Sequence, residues 1–417
     1  MENEADIREV IDNHTAMLNQ MIADLEPQLE EAITPELVDK LERIYLVGCG
    51  DSYFASLGVR LFFEKYTGIP TEPAASMQFS RYLVDYVPEN SLVVGVSNGG
   101  RVSRTIEAIV RARGRGLATV AATGYPDRQL AQEADHAIIG NLPNVREAMG
   151  ALKTAVETGK LSQSDLQLSK PGAAERVAKS LGIGGGVNIL LLSLAAYLAS
   201  IVTLYLIGFR IAELRGTLSR EDSAALKQEM LGFAEVLYRT TSLNTDKAKT
   251  LAETYNELDT FLILGSGPSY ATALVAAAKL FELPQLNGVP QEMEEWAHQQ
   301  FFFTRPGKSV IFVVVPPGNS RDRAIEQIQG MKELGATVIA ICDSEDEEIL
   351  DMVDDAMPIL GSMKEEFTPL AYVVPGQLFA FSTLHVRGQP PIPAPLDFQK
   401  LMEVNFKQIY QSKIWEN

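Results

Sequence analysis

Residues 44–52 read IYLVGCGDS, and residues 261–269 read FLILGSGPS. Each stretch is four apolar residues followed by Gly-x-Gly and, two residues on, a serine. A short apolar run bounded by glycines describes a buried strand that turns sharply, and the residues after each turn carry helical spacing. The pairing extends outward. Leu92 to Val96 runs into Ser97-Asn98-Gly99-Gly100, as Val310 to Val315 runs into Pro316-Pro317-Gly318-Asn319-Ser320. Thr119 to Ala122 is matched by Thr337 to Ala340. The offset is nearly constant: 217 residues from Gly48 to Gly265, 220 from Arg101 to Arg321 and 218 from Thr119 to Thr337. A repeat of this length is a duplicated domain rather than a solenoid. Short apolar strands alternating with helices predict α/β domains, each a parallel sheet with helices on both faces.

Around this repeat the chain divides into an N-terminal helical segment (1–43), a first domain (44–217) and linking helices (218–256). A second domain (257–387) and a C-terminal tail (388–417) follow. Thr34-Pro35 predicts a capped helix start, as does Ser219 to Asp222. Residues 70–75 read as extended, 76–85 as helix, and Ala137 to Ile139 as a further strand. The polar, glycine-punctuated stretch 151–186 reads as an insertion. Residues 187–209 lack charge for long enough to cross a bilayer. Polar interruptions and the missing basic flank predict instead a helix buried in a core or subunit interface.

The chain has 36 Lys and Arg against 54 Asp and Glu, a formal charge of −18. That balance excludes nucleic acid as the main partner, so any phosphate must be held by local donors. Two cysteines, Cys49 and Cys342, are too few for a disulfide framework and fit a reducing cytoplasm. The four histidines have no metal-ligand spacing, and there is no nicotinamide or flavin fingerprint, so no cofactor is expected. The acidic, amphipathic N-terminus does not read as a signal peptide, and the expected compartment is the cytoplasm.

In parallel sheets ligands collect at the carboxyl ends of the strands. Two loops of the first half belong there: Gly48 to Ser52, with Gly50, Asp51 and Ser52, and Ser97 to Ser103, with Asn98, Gly99, Gly100 and Arg101. Glycines allow close backbone approach, while hydroxyls and Arg101 supply donors. The second-half loop carries two prolines and so fewer N–H donors, which marks it as the degenerate copy. Beyond it, Lys279 and Glu282 are three apart in an apolar run (Ala276 to Ala278, Leu280, Phe281, Leu283) expected to be buried, and His298 follows. A carboxylate, an ammonium and an imidazole are groups that move protons. A surface ion pair and a satisfied helix-end histidine would use the same spacing.

Over 44–150 and 187–415 the chain resembles double sugar isomerase (SIS) domain proteins, in particular the isomerase half of glucosamine-6-phosphate synthases. The resemblance rests on Gly50-Asp51-Ser52-Tyr53, where the family has Gly-Thr-Ser-Tyr, and on Thr67 to Pro70 followed by Ala75-Ser76. It rests also on Ser97 to Gly100, where the family has Ser-Gln-Ser-Gly, and on an ungapped match over 265–298. It implies a flavodoxin-like SIS fold and aldose–ketose chemistry on a sugar phosphate, or the isomerase or deaminase chemistry of an amino-sugar phosphate. His298 would assist ring opening, Glu282 would carry the proton between C1 and C2, and Lys279 would support the enediol. It further implies a homodimer in which the histidine comes from the partner, with a tail lysine, Lys407 or Lys413, completing the site. The family's glutaminase domain is not seen before residue 1, so glutamine is not expected as amine donor. Gly99, Asn98, Arg101 and Val102 replace family serine, glutamine, glutamate and threonine, and Val275 replaces a glutamate. A deglycase for phosphorylated fructosamines and a non-catalytic sugar-phosphate sensor are the alternative functions.

Overall fold

The computed structural model describes residues 4–141, 185–388 and 398–416. All but the last two residues of the 151–186 stretch, and most of the Pro-rich start of the tail, lie outside the described residues. The first sheet comprises β1 (Arg43–Gly48), β2 (Thr71–Ala75), β3 (Ser91–Val96), β4 (Ala118–Thr123) and β5 (His136–Ile139). The second comprises β6 (Thr260–Gly265), β7 (Asn287–Glu292), β8 (Val310–Val315), β9 (Thr337–Cys342) and β10 (Asp355–Ala356). Both are entirely parallel, ordered β2-β1-β3-β4-β5 and β7-β6-β8-β9-β10. This is the same flavodoxin-like order twice, so the predicted duplication is present. In each sheet the order reverses between the first and third strands, where the crevice of such a sheet lies.

The chain divides into two compact units. One holds the first sheet and takes the described residues of 15–143, 195–231 and 391–417; the other holds the second sheet and takes those of 1–14, 144–194 and 232–390. The linking region is two helices, Arg220–Leu231 in the former and Phe233–Thr254 in the latter.

In the first-sheet unit, β3 is buried at every position, as an unbroken apolar run requires when both faces are covered. Tyr45, Val47, Val93 and Ala121 join Phe79, Ile106, Ile109 and Leu130 in one core. The intervening Leu46, Leu92 and Val94 are buried as well. The apolar stretch in question is a helix, Gly185–Arg215. From Leu194 it is long and apolar enough to cross a membrane, yet 89% of its most apolar window is buried within the protein. Tyr205 and Phe209 pack edge-on against Phe62, with ring centroids 5.0 and 4.7 Å apart. The N-terminal helix buries Leu18, Met21, Leu25 and Leu29, and its Gln28 accepts from the Ile139 amide of edge strand β5 at 2.7 Å. Thr34 caps the short helix Pro35–Val38 as expected, accepting from the Leu37 amide. Residues 76–86 differ from the simple helix expected: a helical turn passes into a π-helical turn (Phe79–Leu83) and then a 3₁₀ turn (Val84–Tyr86).

In the second-sheet unit, β8 is the fully buried strand, and Val313, Trp296, Ile328 and Met331 share its core. Strand β7 was not expected from the sequence. It lies at the sheet edge and contains Gly288 and Pro290, residues that interior strands exclude but edge strands tolerate.

Phe62→Ala should destabilise the first-sheet unit by about 3–5 kcal/mol, since it empties the aromatic contact between two helices. Urea denaturation followed by circular dichroism measures this as a lower midpoint.

Candidate active site

Both strand-to-helix turns after β1 and β6 are set by one glycine. Gly50 holds φ 54° and ψ −132°, and Gly267 holds φ 54° and ψ −128°. Side-chain-bearing residues rarely adopt this left-handed region, so the repeat of Gly-x-Gly is a backbone requirement. A Cβ on Gly48 or Gly265 would also strike the first turn of the following helix, 2.8 Å from Ser52 C and 2.3 Å from Ser269 O.

In the first-sheet unit two loops meet at the carboxyl ends of the neighbouring strands β1 and β3. Thr105 Oγ1 lies 3.9 Å from Cys49 Sγ and 2.9 Å from Ser76 Oγ, tying them together. The Gly48–Ser52 loop opens the helix Asp51–Thr67 with an aspartate, whose charge already sits at the positive helix end. The Ser97–Ser103 loop has no carboxylate of its own. It is braced from below: Gly100 N–H donates to Ser97 O at 3.0 Å, and Gly124 N–H to Asn98 O at 2.9 Å. Ser97 and Ser103 are buried, and Gly99 and Arg101 are exposed. The amides of Asn98, Gly99, Arg101, Val102, Ser103 and Arg104 find no acceptor among the described residues. They are the donors an anion needs at the start of the helix Ser103–Gly114.

The tail returns to this loop. Helix Phe398–Tyr410 ends with Tyr410 under the Arg101 guanidinium, 5.1 Å from ring centroid to Cζ. A cavity of about 570 Å³ there is lined by Ser103, Gln129, Tyr410, Lys413 and Trp415. A second of about 630 Å³ is lined by Arg101, Arg128, Gln129 and Tyr410. The two tail lysines are thus separated. Lys413 lines the first cavity beside Ser103, whereas Lys407 is spent on Glu403 of its own helix at 2.5 Å.

The matching loop of the second-sheet unit is filled by the chain itself. The Glu365 carboxylate accepts from the Asn319 amide at 3.1 Å and from its side-chain nitrogen at 2.9 Å. A Cβ on Gly318 would stand 2.3 Å from the Glu365 carboxyl carbon. Arg321, the counterpart of Arg101, forks onto Asp346 with two 2.7 Å bonds and reaches Glu348 at 2.8 Å. The hydrogen bond from Arg321 holds the Asp346 carboxyl below the usual range. An incoming phosphate would meet three carboxylates and find the Asn319 and Arg321 side chains already taken.

On the helix Pro268–Glu282, Lys279 is 5% exposed and donates to the Glu282 carboxylate at 2.7 Å, while that carboxylate is 56% exposed. The lysine stem is held by packing and the glutamate faces outward. The expectation of a buried run fails at Phe281, which is 52% exposed, and Ala278 and Leu283 are only partly buried. Helical phase explains this: Ala276, Ala277 and Leu280 take the inner face and Phe281 shares the outer one with Glu282. His298 ends the helix Met293–His298 with its side chain 66% exposed, and its ion-pair partner is Glu294 at 3.7 Å, not Glu282. Among the described residues no group of three or more His, Cys, Asp or Glu could hold a metal ion. Sequence reasoning missed Glu365, whose role is visible only as a tertiary contact, and Glu107, described below.

Two parallel-sheet units with the same strand order and the same glycine-set turns define a duplicated, doubly wound α/β protein. The SIS domain model matches residues 36–158 and 255–387, and the chain belongs to the SIS domain family. It is 25% identical over 374 residues to the isomerizing glutamine–fructose-6-phosphate aminotransferase of Gloeobacter violaceus, a match covering 89% of this chain and 53% of that protein. The chain spans about half the length of the curated relatives it matches. The C-terminal domain of glucosamine-fructose-6-phosphate aminotransferase from Francisella tularensis superposes with a TM-score of 0.71 at 19% identity, over 92% of this chain and 98% of that one. A candidate phosphosugar isomerase from Clostridium difficile 630 superposes at 0.68 with 18% identity, over 95% and 97%.

Gly99 and Gly100 should respond differently. A Cβ at Gly99 meets nothing within 4 Å, whereas at Gly100 (φ +62°) it would lie 2.7 Å from Arg128 Cβ and 2.9 Å from Thr123 Oγ1. Urea denaturation should find Gly100→Ala less stable than the parent by about 1–3 kcal/mol, the usual order for a side chain forced into a positive-φ, crowded position, while Gly99→Ser should stay within about 0.5 kcal/mol.

Proposed function

We propose that this protein is a sugar-phosphate isomerase that moves a proton between C1 and C2 of an aldose–ketose pair. The observation that carries the reading is the Lys279–Glu282 pair, a packed ammonium holding an exposed carboxylate at 2.7 Å. A proton carrier must reach solvent or substrate, yet be held in one orientation, and this pair meets both requirements. Fructose 6-phosphate, the sugar phosphate in the name of the aminotransferase relatives, is the first substrate to try.

The Ser97–Ser103 loop, within the first-sheet unit, is the candidate for holding a phosphate: amides with no acceptor among the described residues, Ser103, Arg101 and Lys413 supply donors there. Glu282 takes the proton from one carbon and returns it to the next. The Lys279 ammonium stabilises the oxygen charge that develops in the enediolate. His298 protonates the ring oxygen as the ring opens, and it does so in the site of a second copy. Its outward position supports that assignment, as do the phenylalanines that follow: Phe302 is 72% and Phe303 66% exposed. Apolar groups clustered in this way on a surface mark an interface. The homodimer is therefore part of the proposal.

Two outcomes test it. Purified protein in D2O with fructose 6-phosphate should place label at C1 of the ketose, read by NMR, and Glu282→Gln should slow this at least about 100-fold, the ordinary worth of a general base. Normal labelling by that variant would end the assignment. Mixing Glu282→Gln with His298→Asn after mild denaturation and refolding should restore part of the activity that neither has alone. Failure to restore any would place both residues in a site formed by one copy.

A further inference from the structure

Glu107 sits on the helix Ser103–Gly114 with no exposure at all, a full turn beyond the phosphate loop. Its carboxylate collects four partners. Arg81 forks onto it, with Nη2 at 2.9 Å from Oε2 and Nε on Oε1. Arg104 donates to Oε2, and Ser80 Oγ to Oε1 at 2.9 Å. The fourth donor comes from the tail: the backbone N–H of Trp415, at 3.0 Å. Burial alone would raise the Glu107 carboxyl, but the donors led by Arg81 outweigh it and hold it below the usual range.

The residues around Lys413 are fixed by the same cluster. Arg104, already on Glu107, also donates to the Lys413 carbonyl and to Ser412 Oγ at 3.1 Å. Ile414 packs against the first-sheet core. Two guanidiniums lie over the Trp415 ring, Arg81 Cζ at 4.6 Å and Arg111 Cζ at 4.2 Å from its centroid. Arg111 is itself buried and held by Asp85 at 3.2 Å. The chain on both sides of Lys413 is therefore anchored by backbone bonds, a partly buried aliphatic side chain and two cation–π contacts. Lys413 lines the cavity that Ser103 also lines.

We infer that Glu107 and Trp415 are positioning residues that hold Lys413 at the Ser97–Ser103 loop, so that anion binding there depends on the tail being latched. The inference rests on the reading of that loop as the phosphate site, and needs no turnover. Arg104 links the two ends physically. It stands in the first turn of the helix whose amides would meet the anion, and it touches both the latch carboxylate and the lysine's own carbonyl.

The test is a binding cycle with fructose 6-phosphate, read by calorimetry, together with hydrogen exchange of the 411–417 peptide read by mass spectrometry. Lys413→Ala and Trp415→Ala should each weaken binding by about tenfold, the usual order for a charged hydrogen bond. The double variant should be no weaker than Lys413→Ala alone, because the tryptophan acts through the lysine. Trp415→Phe should restore binding, since it keeps an aromatic ring against the arginines. Trp415→Ala should also remove protection from the tail peptide. It lies at the surface of the tail, so it leaves the core intact; Glu107→Gln, where it folds, should expose the tail peptide equally. Additive losses in the double variant would show a merely structural role and overturn the inference. So would full tail protection in Trp415→Ala. Absence of any binding by the parent protein would remove the anion site and the inference with it. Loss of proton exchange with binding intact would instead defeat only the isomerase reading.

Discussion

An anion is held at the carboxyl edge of a parallel sheet when backbone donors there are free and no carboxylate of the chain has taken them. That condition separates the two halves of this protein. The halves share strand order, glycine turns and even an arginine at the same place in the loop. In the first, Arg101 stacks on Tyr410, and the amides beside it have no acceptor among the described residues. In the second, Glu365 lies on the loop and Asp346 and Glu348 saturate Arg321. In the second loop the Asn319 amide and the Arg321 guanidinium already have carboxylate partners within the chain, so an anion there would compete with Glu365, Asp346 and Glu348.

The two units differ elsewhere too. In the second-sheet unit the loop after β8 is covered by the chain's own Glu365 carboxylate. The helix Pro268–Glu282 of that unit carries Lys279 into the packing and leaves Glu282 outside. Burying a lysine stem costs conformational freedom and solvation, and the ion pair with Glu282 offsets part of that cost. In the first copy the cationic groups are drawn instead from three sources, the loop, the helix beyond it and the tail, which the Glu107 cluster joins.

Much of the architecture was legible in the chain. The strands β1, β3, β6 and β8 are unbroken apolar runs, because both faces of a parallel sheet are covered. Gly50 and Gly267 were legible because their φ of 54° leaves little choice of residue. Strand β7 was not, since Gly288 and Pro290 are poor strand formers that only an edge position permits. The exposure of Phe281 was not either: composition suggested burial, and helical phase relative to the packed face decided otherwise.

For the site, residue types and spacing alone determined that a lysine and a glutamate share a helix face, and that the first loop is richer in donors than the second. Both follow from local geometry, the helical repeat and the missing N–H of proline. Which tail lysine approaches the loop was a tertiary decision. Lys407 and Lys413 are equivalent in sequence, and only the return of the tail onto the helix Ser103–Gly114 separates them. The same holds for Glu107 and Glu365, one organising the tail and the other closing a loop 46 residues away. A carboxylate's role depends on which donors surround it, and donors far apart in the chain are brought together only by packing.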